Sequence, residues 1–231
     1  MKTLEDYKNG EVLLIDKPLH WTSFQAVNKI RWALKKAYAI KNIKVGHAGT
    51  LDPLATGLLV ICTGKMTKEI NRYQGQEKEY IGTITLGATT PSYDLETEID
   101  QEFPTNHITE SLIHKTTSQF IGTIKQFPPV FSAIKKDGKR LYEFARAGES
   151  VEIQARAINI STFAITAIED NKLQFRVVCS KGTYIRSLAH DFGKALNSGA
   201  HLSDLRRTRI GEFSVNSAQS IEGFINELPE F

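Results

Sequence analysis

The 231-residue chain holds only two cysteines, Cys62 and Cys179, each inside an apolar run. So few thiols exclude a disulfide framework, and without paired spacing they exclude a cysteine zinc site as well; both read as small buried hydrophobes. The six histidines, His20, His47, His107, His114, His190 and His201, are scattered. None lies close to a cysteine or glutamate in the way a zinc deaminase requires, so no metal is implied. Long hydrophobic runs are missing too. The longest, around Leu58 to Cys62, is far too short to cross a bilayer, and no basic-then-apolar leader opens the sequence, so a cytoplasmic protein without membrane contact is expected.

Neither sign of charge dominates: the net charge is +3 and the pI about 8.7. A field that weak leaves any nucleic-acid footprint to local clusters. The candidates are Lys35-Lys36 with Lys41 and Lys44, Lys65 with Lys68 and Arg72, Lys135-Lys136 with Lys139-Arg140, and Arg206-Arg207 with Arg209. Each competes with the plainer reading of a solvated surface. Repeats, low-complexity tracts and Pro/Gly/Ser linkers are also absent, which argues for a single domain over residues 1–231.

What is present is an ordinary globular composition, 41% hydrophobic and 24% charged, with enough length for one large core or two small ones. Glu11 to Asp16 reads as a strand. Thr22 or Ser23 can cap a helix whose apolar positions Val27, Ile30, Leu34 and Ala37 recur at helical spacing. Leu58 to Cys62 reads as a short buried strand, followed by a short helix near Met66 to Tyr73. From Lys78 to Thr89 the residues alternate, with Tyr80, Gly82, Ile84, Leu86 and Ala88 on one face. Pro91 to His107 is an irregular surface connection, and Thr109 can cap a helix running to Phe120. Val130 to Lys135 is extended, and a helix is predicted around Leu141 to Ala147. Ala155 to Ile168 and Lys172 to Ser180 form a hairpin turned at Glu169-Asp170-Asn171. Tyr184 to Leu196 reads as a helix, Leu205 to Phe213 as a strand and Ser217 to Leu228 as a closing helix. Together these predict an α+β protein with a large, mainly antiparallel mixed sheet flanked by helices.

One stretch stands apart, Gly46-His-Ala-Gly-Thr-Leu-Asp-Pro-Leu-Ala-Thr-Gly57. Glycines before Asp52 and a proline after it let the backbone turn sharply while Leu51 to Pro53 stays stiff. Between Val45 and Lys68 Asp52 is the only carboxylate. That argues against a two-carboxylate glycosidase site and against a locally built oxygen-ligand metal cage. A lone acid here is either a nucleophile or base, or merely the organiser of an Asp-Pro turn.

Lys44-Val-Gly-His-Ala-Gly-Thr-Leu-Asp-Pro-Leu-Ala-Thr-Gly-Leu-Leu resembles the signature of the bacterial tRNA pseudouridine synthase B family. Further segments agree in the same order: Leu14-Ile-Asp-Lys-Pro, Gln126-Phe-Pro-Pro-Val-Phe-Ser-Ala-Ile-Lys, Leu141-Tyr-Glu-Phe-Ala-Arg-Ala-Gly, Cys179-Ser-Lys-Gly-Thr-Tyr-Ile-Arg and Gly199-Ala-His-Leu-Ser-Asp-Leu-Arg-Arg-Thr-Arg-Ile-Gly. The resemblance spans nearly the whole chain and implies the pseudouridine synthase fold, with an active-site cleft across the sheet. It also implies a cofactor-free isomerase that converts uridine to pseudouridine at position 55 in the T loop of tRNA after flipping the base. Many relatives carry a C-terminal PUA-type RNA-binding domain, and this chain is expected to lack one. A monomer whose partner is the T-arm stem-loop follows. The alternative is a tRNA-binding or folding chaperone in which catalysis is secondary.

Residue by residue, the resemblance makes Asp52 the nucleophile and Arg186 the cation that keeps it ionised, since a guanidinium can hold a carboxylate with two parallel bonds. Tyr80 matches the tyrosine that stacks on the uracil and helps remove its C5 proton; by alternation alone it is a core aromatic. His47 matches the histidine that fills the place of the flipped base. Tyr184 and Leu205 match the lining of the uridine pocket, and Lys17 and Lys135 match basic positions expected near backbone phosphates. Asp94 fits a weaker acidic match, because Pro91-Ser-Tyr-Asp-Leu-Glu departs from the commoner glycine-ended pattern, and Phe131 stands where many relatives have tyrosine.

Overall fold

In this computed structural model the described residues are 2–230 without 133, 134, 137, 148 and 150; the side chains of 135, 136, 140, 142, 145 and 146 are also outside the description. The strands of the main sheet are β1 (Val12–Lys17), β2 (Val45–His47), β3 (Ala55–Thr63), β4 (Lys78–Leu86), β5 (Gly122–Gln126), β6 (Arg156–Glu169), β7 (Lys172–Cys179), β8 (Ala200–Ile210) and β9 (Phe213–Ser214). The α-helices are α1 (Leu4–Asn9), α2 (Ser23–Ala37), α3 (Ile70–Gly75), α4 (Glu110–Thr117), α5 (Leu141–Ala147), α6 (Ile185–Ala195) and α7 (Ile221–Asn226). Two compact units divide the chain, Met1–Tyr80 with Leu205–Phe231 and Ile81–Asp204.

In the first unit β3 is the central strand. β1 runs antiparallel along one edge, from Val12 opposite Cys62 to Lys17 opposite Gly57. The other edge is shared: β2 pairs antiparallel near its end, Val45 opposite Thr63, and β8 pairs parallel at its start, Leu205 opposite Ala55 and Arg207 opposite Gly57. Both faces of β3 are covered. Leu59 and Ile61 pack with Val27, Ile30 and Leu34 of α2 and with Phe224 of α7, while Leu58, Val60 and Cys62 pack with Tyr73 and Ile210. Burial on both sides is why the strand reads as an unbroken apolar run rather than an alternation. Helix α2 starts at a capping box, Thr22 accepting from the Gln25 amide while the Gln25 side chain accepts from Thr22.

In the second unit the order is β8, β4, β7, β6, β5. β6 and β7 form the predicted hairpin, with Asp170 in the left-handed region at its turn (φ 52). Phe120, Phe163, Phe175 and Phe192 meet edge to face beneath it, which fixes α6 against the hairpin. The α+β expectation thus holds, as a mixed sheet in which β8 runs parallel to β3, with helices packed against it.

Element boundaries differ where local signals compete. The closing helix is Ile221–Asn226 instead of Ser217 to Leu228, because Ser220 supplies its N-cap and Val215–Ser217 is a separate 3-10 turn. β8 begins at Ala200 and stops at Ile210, where Gly211 turns at φ 53 and donates to the Glu77 carbonyl. Only α3 is α-helical in the predicted Met66 to Tyr73 segment, and Gly64–Glu69 before it is 3-10. β2 and β5, three and five residues long, carry no alternation strong enough to predict.

Gly57 has φ 100, and a Cβ there would stand 2.3 Å from the Arg207 carbonyl oxygen. Gly75, in α3, has open space where its Cβ would be. Gly57→Ala should therefore destabilise by about 2 kcal/mol or more, whereas Gly75→Ala should be neutral or stabilising by up to about 1 kcal/mol. Thermal melts of both variants check the opposite signs.

Candidate functional site

The Asp52 loop leaves β2 and returns as β3, so it emerges between the two partial pairings on one edge of that strand. Its start is fixed by the Ala48 amide donating to the Val60 carbonyl, 2.9 Å. Leu51 is fixed next: the Ser23 hydroxyl accepts from its amide at 2.8 Å and donates to its carbonyl at 3.1 Å. Ser23 is 2% exposed and sits in the first turn of α2, so that helix anchors the loop directly. The Pro53 carbonyl accepts from the His20 amide, 2.8 Å, and the Asp52 carbonyl from the Ala55 amide, 3.1 Å. Asp52, partly exposed, is thus the one acid in a strongly held bend.

Two buried cations flank this bend. Arg207 is 1% exposed, and its Nε donates to the Leu58 carbonyl (2.8 Å), Nη1 to the Thr50 carbonyl (3.3 Å) and Nη2 to the Gly49 carbonyl (3.1 Å). Lys17 is fully buried, with Nζ donating to the Pro18 carbonyl (2.9 Å) and the Trp21 carbonyl (2.6 Å). Burial pushes the Lys17 ammonium down to about 8; the Asp52 charge opposes this, Arg207 adds to it and Asp16 opposes it. The expected phosphate-facing position of Lys17 therefore differs from the structure, which turns its ammonium inward to brace residues 18–21.

His47, in β2 opposite Ile61, is partly buried, and its Nδ1 has no hydrogen-bond partner. Burial lowers its pKa, a backbone interaction at Gly49 works against that, and the Arg207 charge lowers it further. Tyr80 and Leu205 are buried, Tyr80 on the core face that alternation predicts and Leu205 directly opposite Ala55, where the loop rejoins the sheet. The Arg206-Arg207-Arg209 cluster is not a solvated patch. Arg206 grips Asp16 with two bonds (3.0 and 2.6 Å), Arg207 is buried, and Arg209 donates to the Gly211 carbonyl. Lys35, Lys36, Lys41 and Lys44, by contrast, are exposed.

The second unit holds its own group. Tyr184 is the N-cap of α6 without a side-chain cap bond; Gln126, 2% exposed, does that work, accepting from the Tyr184 amide (2.8 Å) and donating to its carbonyl (3.0 Å). One turn on, Ser187 donates to the Phe127 carbonyl. Arg186, 4% exposed, donates from Nη1 to the Ser92 carbonyl (3.1 Å), and its Nε lies 3.6 Å from Asp94. Asp94 is itself buried in a tight turn, with its carboxylate accepting from the Glu96 amide. That pairing makes Asp94 a holder of Arg186. Lys135 lies in a short strand, and its side chain is among those outside the described residues.

Sequence reading missed Ser23, Gln126 and Arg207 as site-shaping residues. For Arg207 a signal existed: strand alternation puts it on the face of buried Leu205, two residues earlier, although the Arg-Arg-x-Arg run looks like surface.

Residues 35–185 match the model of the TruB family pseudouridylate synthase N-terminal domain, and residues 186–227 match that of the tRNA pseudouridylate synthase B C-terminal domain. The chain is 65% identical to tRNA pseudouridine synthase B of Flavobacterium johnsoniae over 98% of its own length and 99% of that protein's. Against the same-named protein of Phocaeicola vulgatus it is 56% identical, over 95% and 93% of the two lengths. Among solved structures it is similar to a chain of a Cbf5-Nop10-Gar1 complex, with a TM-score of 0.72 and 30% identity over 97% of this chain and 56% of that one. A chain from an H/ACA RNP bound to a substrate RNA containing 2'-deoxyuridine gives a TM-score of 0.69 and 27% identity, over 97% and 55%. The chain thus spans just over half the length of those two solved chains.

The buried ammonium gives a pH test. Lys17 releases its proton near pH 8 when folded and near the ordinary lysine value, about 10.4, when unfolded. Between those values the unfolded state binds more protons, so the Lys17 contribution to stability rises with pH, while below pH 8 the full cost of the buried charge is present. Urea unfolding of wild type and Lys17→Met across this range should show the difference in stability shifting towards wild type as pH rises.

Proposed function

The chain belongs to the TruB family of pseudouridylate synthases and isomerises uridine to pseudouridine in tRNA, and on that premise we propose that its target is the T-loop uridine at position 55, attacked by Asp52 after the base is flipped out. The observation that carries this reading is the Asp52 bend itself: a single acid, held by Ser23, Arg207 and the Ala48 amide, at the lip of a strand buried at every position except Thr56. The reaction breaks the bond from N1 to C1′, turns the uracil and joins C5 to C1′. It consumes no water and changes no oxidation state, so one carboxylate nucleophile serves without a cofactor. The same reading makes it a monomer acting on the tRNA T arm in the cytoplasm; among the described residues no helix is long and apolar enough to cross a membrane.

Roles follow for the remaining residues. Tyr80 stacks on the uracil and helps to remove the C5 proton, and Arg186 supplies the positive charge that keeps the nucleophile ionised. His47 fills the space the uridine vacates, at the few kcal/mol cost that base extraction carries; a neutral ring suits that place, and burial favours the neutral form. Tyr184 and Leu205 line the uridine pocket. Lys135 contacts phosphate, where it positions the RNA without reading its sequence.

Incubating the protein with a T-arm stem-loop transcript and mapping pseudouridine tests the assignment. Asp52→Asn should retain RNA affinity and lose at least about a thousandfold in single-turnover rate. Product formed at an undiminished rate would remove Asp52 from the nucleophile's role, and a wild type that binds the RNA without forming product would favour the reading of an RNA-folding module. Tyr80→Phe should bind RNA normally and slow turnover by about a hundredfold, and wild-type kinetics would make its hydroxyl irrelevant.

A further inference from the structure

We propose that Arg207 is a positioning residue for the reaction: its buried guanidinium gathers the Gly49, Thr50 and Leu58 carbonyls and so fixes the course of the chain that presents Asp52. The role rests on Asp52 being the reacting group; the geometry that supports it does not.

The need for a donor arises from the strand edge. β2 covers β3 at Ile61 and beyond, and β8 covers it up to Gly57. Between them the edge carbonyls of Leu58 and Val60 face the departing loop. The Ala48 amide takes Val60, and Arg207 takes Leu58 with Nε. Because a guanidinium is planar, satisfying Leu58 with Nε fixes where Nη1 and Nη2 point, and they point at Thr50 and Gly49. One rigid group therefore ties the strand edge to two successive peptides, the second of them only two residues before Asp52.

Arg207 can reach this place because Gly57 has no side chain. At φ 100 it lets the β8 backbone come so close that a Cβ would collide with the Arg207 amide and carbonyl, at 2.9 and 2.3 Å. On the loop side Gly49 turns at φ 109, and a Cβ there would lie 3.7 Å from Nη1. Among the described residues the acceptors of Arg207 are backbone carbonyls, and no carboxylate forms an ion pair with it. Removing such a group leaves three carbonyls without their donor, and holding the loop then falls to the Ser23 hydroxyl on Leu51 and to the Ala48–Val60 and His20–Pro53 backbone bonds. Lysine keeps the charge but has no fork, which separates the two contributions.

The test is Arg207→Lys beside wild type on the T-arm stem-loop, with affinity from filter binding and single-turnover rate at saturating enzyme. Affinity within about threefold of wild type and a rate lower by about a hundredfold are expected, since misplacing a reacting group by about 1 Å costs that much. A rate within about twofold, or a rate loss matched by lost affinity, would overturn the role. Hydrogen exchange of a peptide covering residues 48–54 should quicken in the variant while α6 stays unchanged, and equal exchange would also overturn it. If the variant does not fold, NMR of the wild-type protein decides: separate, slowly exchanging Nη protons on Arg207 support the fork, and an averaged, freely rotating guanidinium contradicts it. Wild type making no pseudouridine sinks the proposed function instead, and leaves the exchange and NMR outcomes to judge the loop contact on their own.

Discussion

A guanidinium removed from water must find acceptors, and a strand edge removed from water must find donors. In the first unit those two demands answer each other. Arg207 sits at 1% exposure beside the stretch of β3 that neither β2 nor β8 pairs, and its donors meet the Leu58, Thr50 and Gly49 carbonyls. Leaving any of these buried groups unmade would cost about 1–3 kcal/mol, so the arrangement is enforced by penalty more than by attraction. The loop could wander only by breaking several such contacts together.

Around that centre the other anchors are also side chains standing in for backbone. The Ser23 hydroxyl closes both ends of the Leu51 peptide, and the Lys17 ammonium collects the Pro18 and Trp21 carbonyls. In the second unit the Gln126 amide acts as a piece of missing strand for Tyr184, and Ser92 and Asp94 together hold Arg186. Each unit thereby presents short, irregular segments with the stiffness of regular structure. That suits the proposed chemistry, in which a carboxylate would meet one carbon of an extracted nucleotide, because proximity contributes to rate only when the geometry is narrow. Two buried cations near Asp52 also make its surroundings electropositive. The lowered pKa of Lys17 records the cost of that burial, partly offset by the Asp52 charge.

Much of the fold was legible in order. The capping box at Thr22, the alternation through Tyr80 and Ile84, and the hairpin around Asp170 each carry a local physical cause, and each stands where patterning puts it. Failures cluster where the cause is distant. β2 and β5 exist because partners of suitable register lie beside them, and three to five residues carry too little pattern of their own. The closing helix is the exception, shorter for a local reason: Ser220 caps it, a competing signal ahead of the apolar positions.

For the site, the sequence determined the residue types and their tight local geometry: the glycines, the lone acid before Pro53 and the buried strand that follows are consequences of backbone sterics and burial, both local. Strand alternation could put Arg207 on an inward face, but which basic residues would in fact be taken out of water was decided by tertiary structure. Lys17 and Arg207, both opposite Gly57, are hidden although lysine and arginine ordinarily lie outside, and Arg206, opposite Thr56, is paired with Asp16. A charge goes where enough carbonyls converge to replace its water, and that convergence exists only once strands distant in the chain have paired.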